Sequence, residues 1–382
     1  MRKFYYIFYP DSKGSITEEL DECLKKIEAS ILQDYFLIKL NIFADLPDYN
    51  SFLEFRSQIH NSLYTLFGSD IPAFNLTVHP PQRPWKIVLE ATCISPGSVR
   101  NIIHDEYEGI PYIILETESG KELWSAGVSR YQYCDDTFRD ASAAFEVMRG
   151  LLEKADMSLN NVVRQWNYIG NILSVNDGLQ NYQKFNEVRN DFYSAYRNVS
   201  WYPAATGVGM KIGNVILDFS ALQTNDSIIP VDNPEQVRAY KYGQDVLKGV
   251  AGKAKTKKHP PQFERALLIS GKQYSCLHIS GTAAIKGQLT VGKDVYEQSL
   301  ITIKNIQRLT DTAFLNDIAG QQQFSNENFS LLRVYIKYQS DFETVKGICR
   351  QIFPDIPVVF IEADICRDDL LMEIEAEVDL NQ

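Results

Sequence analysis

The stretch "PVVFIEADICRDDLLMEIE", Pro357–Glu375, has a counterpart far upstream in "PAFNLTVHPPQRPWKIVLE", Pro72–Glu90. Both run from a proline to a glutamate over the same length without a gap, and both read as strand, loop, strand. Working outward, the similarity extends to three longer passages that begin at Phe36, Val162 and Leu331. Each runs strand, polar loop, amphipathic helix, proline-marked loop, strand, turn, strand. The helices carry apolar residues at three- and four-residue spacing, as in Phe52, Phe55, Ile59, Leu63 and Leu66. In the second passage Pro203 leads to Asp218 at a slightly shorter separation. A further strand and helix precede the later passages: "KELWSAGVSR" with "ASAAFEVMRGLLEKA", and "YSCLHISGTAAIKG" with "YEQSLITIKNIQRLTD". The first has "KFYYIFYP" and a helix from about Thr17 to Ala29.

An internal repeat of this size means one supersecondary unit used several times. Each unit is α+β, with a mixed or antiparallel sheet and helices on one face. A single unit buries little core, so three in one chain predict a pseudo-trimer, monomeric as a chain, with clefts where neighbours meet. The predicted division is 1–108, 109–246 and 263–382, with "LKGVAGKAKTKKHPPQ" (247–262) as a solvated linker between the second and third units.

Among 382 residues 45% are apolar and 23% charged, as in a globular protein, and the net charge is −11. That balance argues against a nucleic-acid partner and against docking on an anionic membrane. No segment is long and apolar enough to span a bilayer. Six cysteines lie scattered with no C-x-x-C pair and no zinc-ligand spacing. Free thiols in a reducing cytoplasm are the expectation.

The repeat acts as an internal control on the glutamates of the last strand. Glu375 has acidic counterparts in Glu90 and Asp218, which reads as structural. Glu373 falls where the other units place Val88 and Ile216. A carboxyl in so apolar a position is desolvated, its pKa rises, and it becomes a candidate general acid; the competing reading is an exposed strand carboxylate. Lys39, Arg164 and Arg333 read as one repeat position. Arg164 shares its strand face with Trp166 and Tyr168, and Arg333 with Tyr335 and Lys337. Arginine beside aromatics suits a planar anionic ligand; the competing reading is an arginine at a unit interface.

The strand–helix–strand units, Ser280-Gly281 after an early strand and the terminal "EIEA" resemble the YjgF/RidA fold, that is, three RidA-like (chorismate-mutase-like) α+β units. That family's arginine in a "PAR" context is replaced by Val358 after Pro357, which argues against imine deaminase activity. A closer resemblance is to the chorismatase family. It rests on "RQWNYIGNI" (Arg164–Ile172), "YQKFNEVR" (Tyr182–Arg189), "YPAATGVG" (Tyr202–Gly209), "ISGTAAIKG" (Ile279–Gly287) and "DICRDDLLMEIEA" (Asp364–Ala376), in the family's order.

The resemblance implies cofactor-independent cleavage of chorismate to pyruvate and a ring acid. 3-Hydroxybenzoate is favoured over the hydrolysis product, a dihydroxycyclohexadiene carboxylate. Glu373 would protonate the enol-ether methylene. Arg164, Arg333 and Arg189 would bind the substrate's two carboxylates. Tyr182 and Tyr202 would line the pocket. Thr206 and Gly207, in an "ATGVG" turn, would offer backbone N–H groups. Ser280 and Thr282 would donate hydroxyls, and Cys366 would face the cleft or stay an inert buried thiol. Asn167 and Asn186 would hold side chains in place. The site would lie between the second and third units, with no metal or cofactor. The alternative is a non-catalytic RidA-like protein that binds a small carboxylate, with Glu373 structural.

Overall fold

The computed structural model describes residues 1–132, 136–176, 178–249, 257–271, 274–311, 315 and 326–380. The first unit runs β1 (Lys3–Phe8), α1 (Ile16–Ser30), β2 (Phe36–Ala44), α2 (Tyr49–Phe67), β3 (Ala73–Thr77) and β4 (Ile87–Ile94). The second contains β5 (Asn101–Tyr107), β6 (Ile110–Glu116), β7 (Gly120–Val128), α3 (Thr137–Lys154), β8 (Val162–Gly170), a short hairpin β9 (Val175–Asn176) and β10 (Leu179–Gln180), α4 (Asn181–Tyr196), β11 (Ala204–Met210) and β12 (Val215–Thr224). The third contains β13 (Ser227–Val231), β14 (Ala266–Ser270), β15 (Ser275–Ala283), the hairpin β16 (Ile285–Lys286) and β17 (Leu289–Thr290), α5 (Val295–Leu309), β18 (Phe329–Ile336), α6 (Phe342–Ile352), β19 (Val358–Glu362) and β20 (Met372–Asp379).

The same four-strand order occurs three times: β1-β4-β2-β3, β7-β12-β8-β11 and β15-β20-β18-β19. In each the last strand inserts antiparallel between the first and the long strand, and the long strand pairs in parallel with the strand after its helix. Helix ends follow local chemistry. Ser15 and Glu18 form a capping box on α1, Asp48 and Asp294 cap α2 and α5, and Gly68 at φ 62° ends α2.

The sheets divide the chain differently from the sequence reading. Strand β5 pairs with β6, so residues 101–107 belong to the second sheet. Strand β13 pairs with β14, so residues 227–231 belong to the third. The 247–262 segment therefore connects two strands of one sheet, and its centre, residues 250–256, lies outside the described residues. Sequence periodicity marks strands but not which sheet a hairpin joins.

The long strands are buried along nearly their whole length. One face packs on the unit's own helices and the other faces the neighbouring units. Charge on that inner face is paired between units. Lys39 of the first unit meets Asp218 of the second at 2.7 Å. Arg164 of the second meets Glu375 of the third at 2.8 Å. Arg333 of the third grips Glu90 of the first, with one contact at 2.6 Å, and also pairs with Glu375. The ring closes around Trp166, whose indole N–H donates to Glu375 and whose ring is 4.0, 4.6 and 5.0 Å from the three cationic groups.

Each long strand has a bulge, before Lys39, Arg164 and Leu331. Counted from it, Glu90, Asp218 and Glu375 are cognate, and Glu373 is cognate with Val88 and Ile216. Arg333, however, is cognate with Asn41 and Trp166, one residue further along the same face than Lys39 and Arg164. Among the described residues no helix is long and apolar enough to cross a membrane.

Candidate active site

A cleft opens between the second and third units. Helix α4 contributes Tyr182, Gln183, Asn186 and Arg189, and β11 contributes Ala205, Thr206 and Gly207. Strands β15 and β20 contribute Gly281, Ala283 and Glu373, and the loop before β20 contributes Cys366, Arg367 and Leu370. Residues flanking the 250–256 segment, from Tyr242 to Lys248 and from Pro261 to Arg265, close the cleft on its outer side.

The three glutamates of β20 share one face and have three different fates. That face is not wet: all three are at least 94% buried. Glu377 lies against His278 and Arg164, and these partners overcome burial and hold its carboxyl down at about 2. Burial likewise opposes ionisation of Glu375, yet Arg164 and Arg333 keep it below the ordinary range. Glu373 makes no ion pair among the described residues. Burial, with the charge of Glu375 behind it, pushes its carboxyl up to about 8 against the opposing pull of Arg265 and Arg164. It is thus mostly protonated at neutral pH while its neighbours on the strand are ionised.

Arg164 and Arg333 do not line the cleft. Both are spent on the carboxylates of the ring, and Arg164 also donates to Thr206 Oγ1 and the Ile279 carbonyl. Four cations line the cleft: Arg367 and Lys248 reach solvent, whereas Arg189 and Arg265 are buried to 2% and 3% exposure. Arg189 donates to Asn186 at 2.6 Å. Arg265 donates to the Val237 carbonyl and to the Tyr242 hydroxyl. Neither guanidinium has a carboxylate partner among the described residues. The Nε of each and Nδ2 of Asn186 are buried without a hydrogen-bond acceptor. Buried charges are normally paired, so these donors mark a place for an anion.

Of the other predicted residues, Tyr182, Thr206, Gly207 and Cys366 line the cleft. Burial pushes the Cys366 thiol up to about 12, which makes it a poor nucleophile. The "ATGVG" segment is strand β11 and not a turn, and two of its N–H groups are used elsewhere: Ala205 donates to Ser280 Oγ and Gly209 to the Asp364 carbonyl. Thr206 acts through its side chain, accepting from Gly281 N–H and donating to Glu375. Tyr202 lies outside the cleft, stacked on Tyr193 with its hydroxyl accepting from Gln262. Ser280 donates to the Glu264 carbonyl and Thr282 to the Ser280 carbonyl, so both hydroxyls serve the backbone. Asn167 holds β11 through the Thr206 carbonyl. Arg265, Tyr242 and Phe263 are additions. They follow or flank the lysine-rich segment, whose composition reads as solvent-facing.

Residues 115–221 match the family described as "Chorismatase FkbO/Hyg5-like, N-terminal". The chain is 28% identical over 288 residues, 72% of it and 78% of the relative, to a 3-hydroxybenzoate synthase of Streptomyces hygroscopicus. It is 31% identical over 225 residues to a chorismatase of Streptomyces rapamycinicus, covering 57% of this chain and 64% of that one. A crystal structure of a chorismatase superposes with a TM-score of 0.70 at 21% identity, covering 99% of both chains. The chain is thus similar to chorismatases in sequence over most of its length, and it has the chorismatase fold throughout.

Proposed function

We propose that the protein cleaves chorismate to pyruvate and a ring acid, with 3-hydroxybenzoate the favoured product. The observation that carries this reading is a desolvated carboxyl, Glu373, whose pKa burial raises to about 8, in one cleft with two buried arginines that have no carboxylate partner among the described residues. Chorismate brings two carboxylates, which Arg189 and Arg265 bind, with Asn186 Nδ2 as a further donor. Tyr182, Phe263 and Leu370 enclose its ring.

The demanding step is protonation of the enol-ether methylene carbon. A carboxyl that keeps its proton at neutral pH is suited to it. Glu373 gives its proton to that carbon and becomes a carboxylate. The positive charge moves to the ether oxygen and its adjacent carbon as an oxocarbenium ion. That charge is stabilised by the newly formed Glu373 carboxylate. On the favoured route the ring's own hydroxyl attacks the oxocarbenium carbon. The attacking hydroxyl gives up its proton, and its own ring carbon–oxygen bond then breaks. Loss of the neighbouring ring proton makes the ring aromatic. The transferred oxygen becomes the carbonyl of pyruvate, and the former ether oxygen stays on the ring as the phenol of 3-hydroxybenzoate, so that the two products together contain the atoms of chorismate. If water attacks instead, the products are pyruvate and the dihydroxycyclohexadiene carboxylate. The relative named 3-hydroxybenzoate synthase supports the first route.

The test is incubation of the purified protein with chorismate, following pyruvate and weighing the ring product by mass spectrometry. Pyruvate from wild type and none from a folded Glu373→Gln variant supports the reading. No pyruvate from folded wild type overturns it.

A further inference from the structure

We propose that the cleft between the third and first units is a second, non-catalytic ligand site for a small aromatic carboxylate. It is the pseudo-symmetric counterpart of the cleft above. The Gly209 N–H donates to the Asp364 carbonyl across the active cleft, and the Glu362 N–H donates in the same way to the Pro80 carbonyl across this one. The second cleft is built from the corresponding parts. Val358 and Phe360 of β19 take the places of Ala205 and Gly207 of β11, counted from the parallel pairing with the long strand. Helix α6 presents Lys346 and Arg350, as α4 presents Asn186 and Arg189. The loop before β4 supplies Gln82, Arg83 and Trp85, as the loop before β20 supplies Cys366, Arg367 and Leu370. Tyr9, just after β1, stands where Ala283 ends β15.

The chemistry follows from what fills these places. Phe360, Phe353, Tyr9 and Trp85 give an aromatic floor and wall. Lys346 is held by Gln82 and lies 3.8 Å from Glu343 at the rim. The Arg83 and Arg350 guanidiniums make no ion pair with a described residue. Two forked cations beside aromatic side chains fit a flat ring bearing a carboxylate. Catalysis is absent from this cleft by construction, because Val88 occupies the position that Glu373 holds in β20.

The test is fluorescence titration of the full chain with benzoate and with 3-hydroxybenzoate, wild type against Trp85→Phe. Only the second probe is chosen from the proposed reaction; the site itself does not rest on it. The expected result is a saturable change carried by Trp85, at least tenfold weaker in Arg350→Ala and in Arg83→Ala, and unmoved by Arg189→Ala. Both surface variants are checked for folding by circular dichroism. No Trp85-dependent change with either probe overturns the proposal, as does a change that both surface variants leave intact. Failure of the chorismate reading is a separate outcome, seen as absent pyruvate release and not in this titration.

Discussion

Gly281 and Glu373 approach so closely that a Cβ on the glycine would fall 1.9 Å from Oε1 of the carboxyl. The glutamate's position is therefore held open by the absence of a side chain on the neighbouring strand. Gly281→Ala is expected to turn the carboxyl away from its place in the cleft. Displacements of about 1 Å at a reacting group cost up to about 100-fold. Pyruvate release should fall at least tenfold with little change in KM. Wild-type kinetics from Gly281→Ala would show that Glu373 is not the proton donor.

The raised pKa of Glu373 predicts a pH dependence of both rate and stability. On the proposed mechanism the acid form gives the proton, so kcat/KM should fall as pH rises through about 8. For stability, the folded-state pKa lies above the ordinary glutamate value of 4.5. The folded chain therefore holds a proton that the unfolded chain has lost. This contribution is fully present below 4.5 and is lost as pH rises through about 8. Glu373→Gln, which cannot ionise, should gain in Tm relative to wild type as pH rises from 5 to 9. Thermal melts across that range check it. A constant Tm difference between the two proteins would show that Glu373 ionises normally.

The ring of ion pairs predicts a large and one-sided stability effect. Arg164→Met leaves Glu375 with one fewer cation and removes one of the ion pairs of Glu377, keeping the one with His278. Arg333→Met strands Glu90. Removing one partner of a buried pair costs about 3–5 kcal/mol. Urea unfolding should show losses of that order for each variant, and Arg333→Met with Glu90→Met should recover part of the loss. Small losses from both single variants would mean that the ring contributes little to the assembly of the units.

How far the sequence reaches can be seen in particular residues. The buried setting of Glu373 on β20 was legible because the repeat supplies its own comparison: Val88 and Ile216 stand in the cognate places, and the ladders keep that register. The assignment of Arg164 and Arg333 to substrate was not legible correctly. An alternating strand pattern shows which side chains share a face, but not that this face is sealed by two other units carrying the matching carboxylates. Arg333 also lies two residues past the point where its strand's bulge ends, whereas Lys39 and Arg164 follow theirs directly. Arg265 was missed because it follows a lysine-rich segment with no periodicity, and its partners Val237 and Tyr242 lie in loops that only the fold brings near.

The two sets of arginines make opposite predictions, and this separates the structural assignment from the sequence-based one. Arg164 and Arg333 are compensated, so replacing them destabilises the chain. Arg189 and Arg265 are buried with no described carboxylate beside them, and holding each charge costs free energy in the absence of ligand. Arg189→Met and Arg265→Met should therefore keep or raise Tm of the free protein while raising KM for chorismate at least tenfold. The stabilisation that substrate analogues give wild type should shrink in both variants, because ligand binding adds stability only in proportion to its affinity for the folded state. Differential scanning fluorimetry with and without a dicarboxylate analogue measures both effects together. Unchanged KM in both variants would return the carboxylate-binding role to residues outside this pair. A fall in Tm with KM unchanged would make these two arginines structural as well.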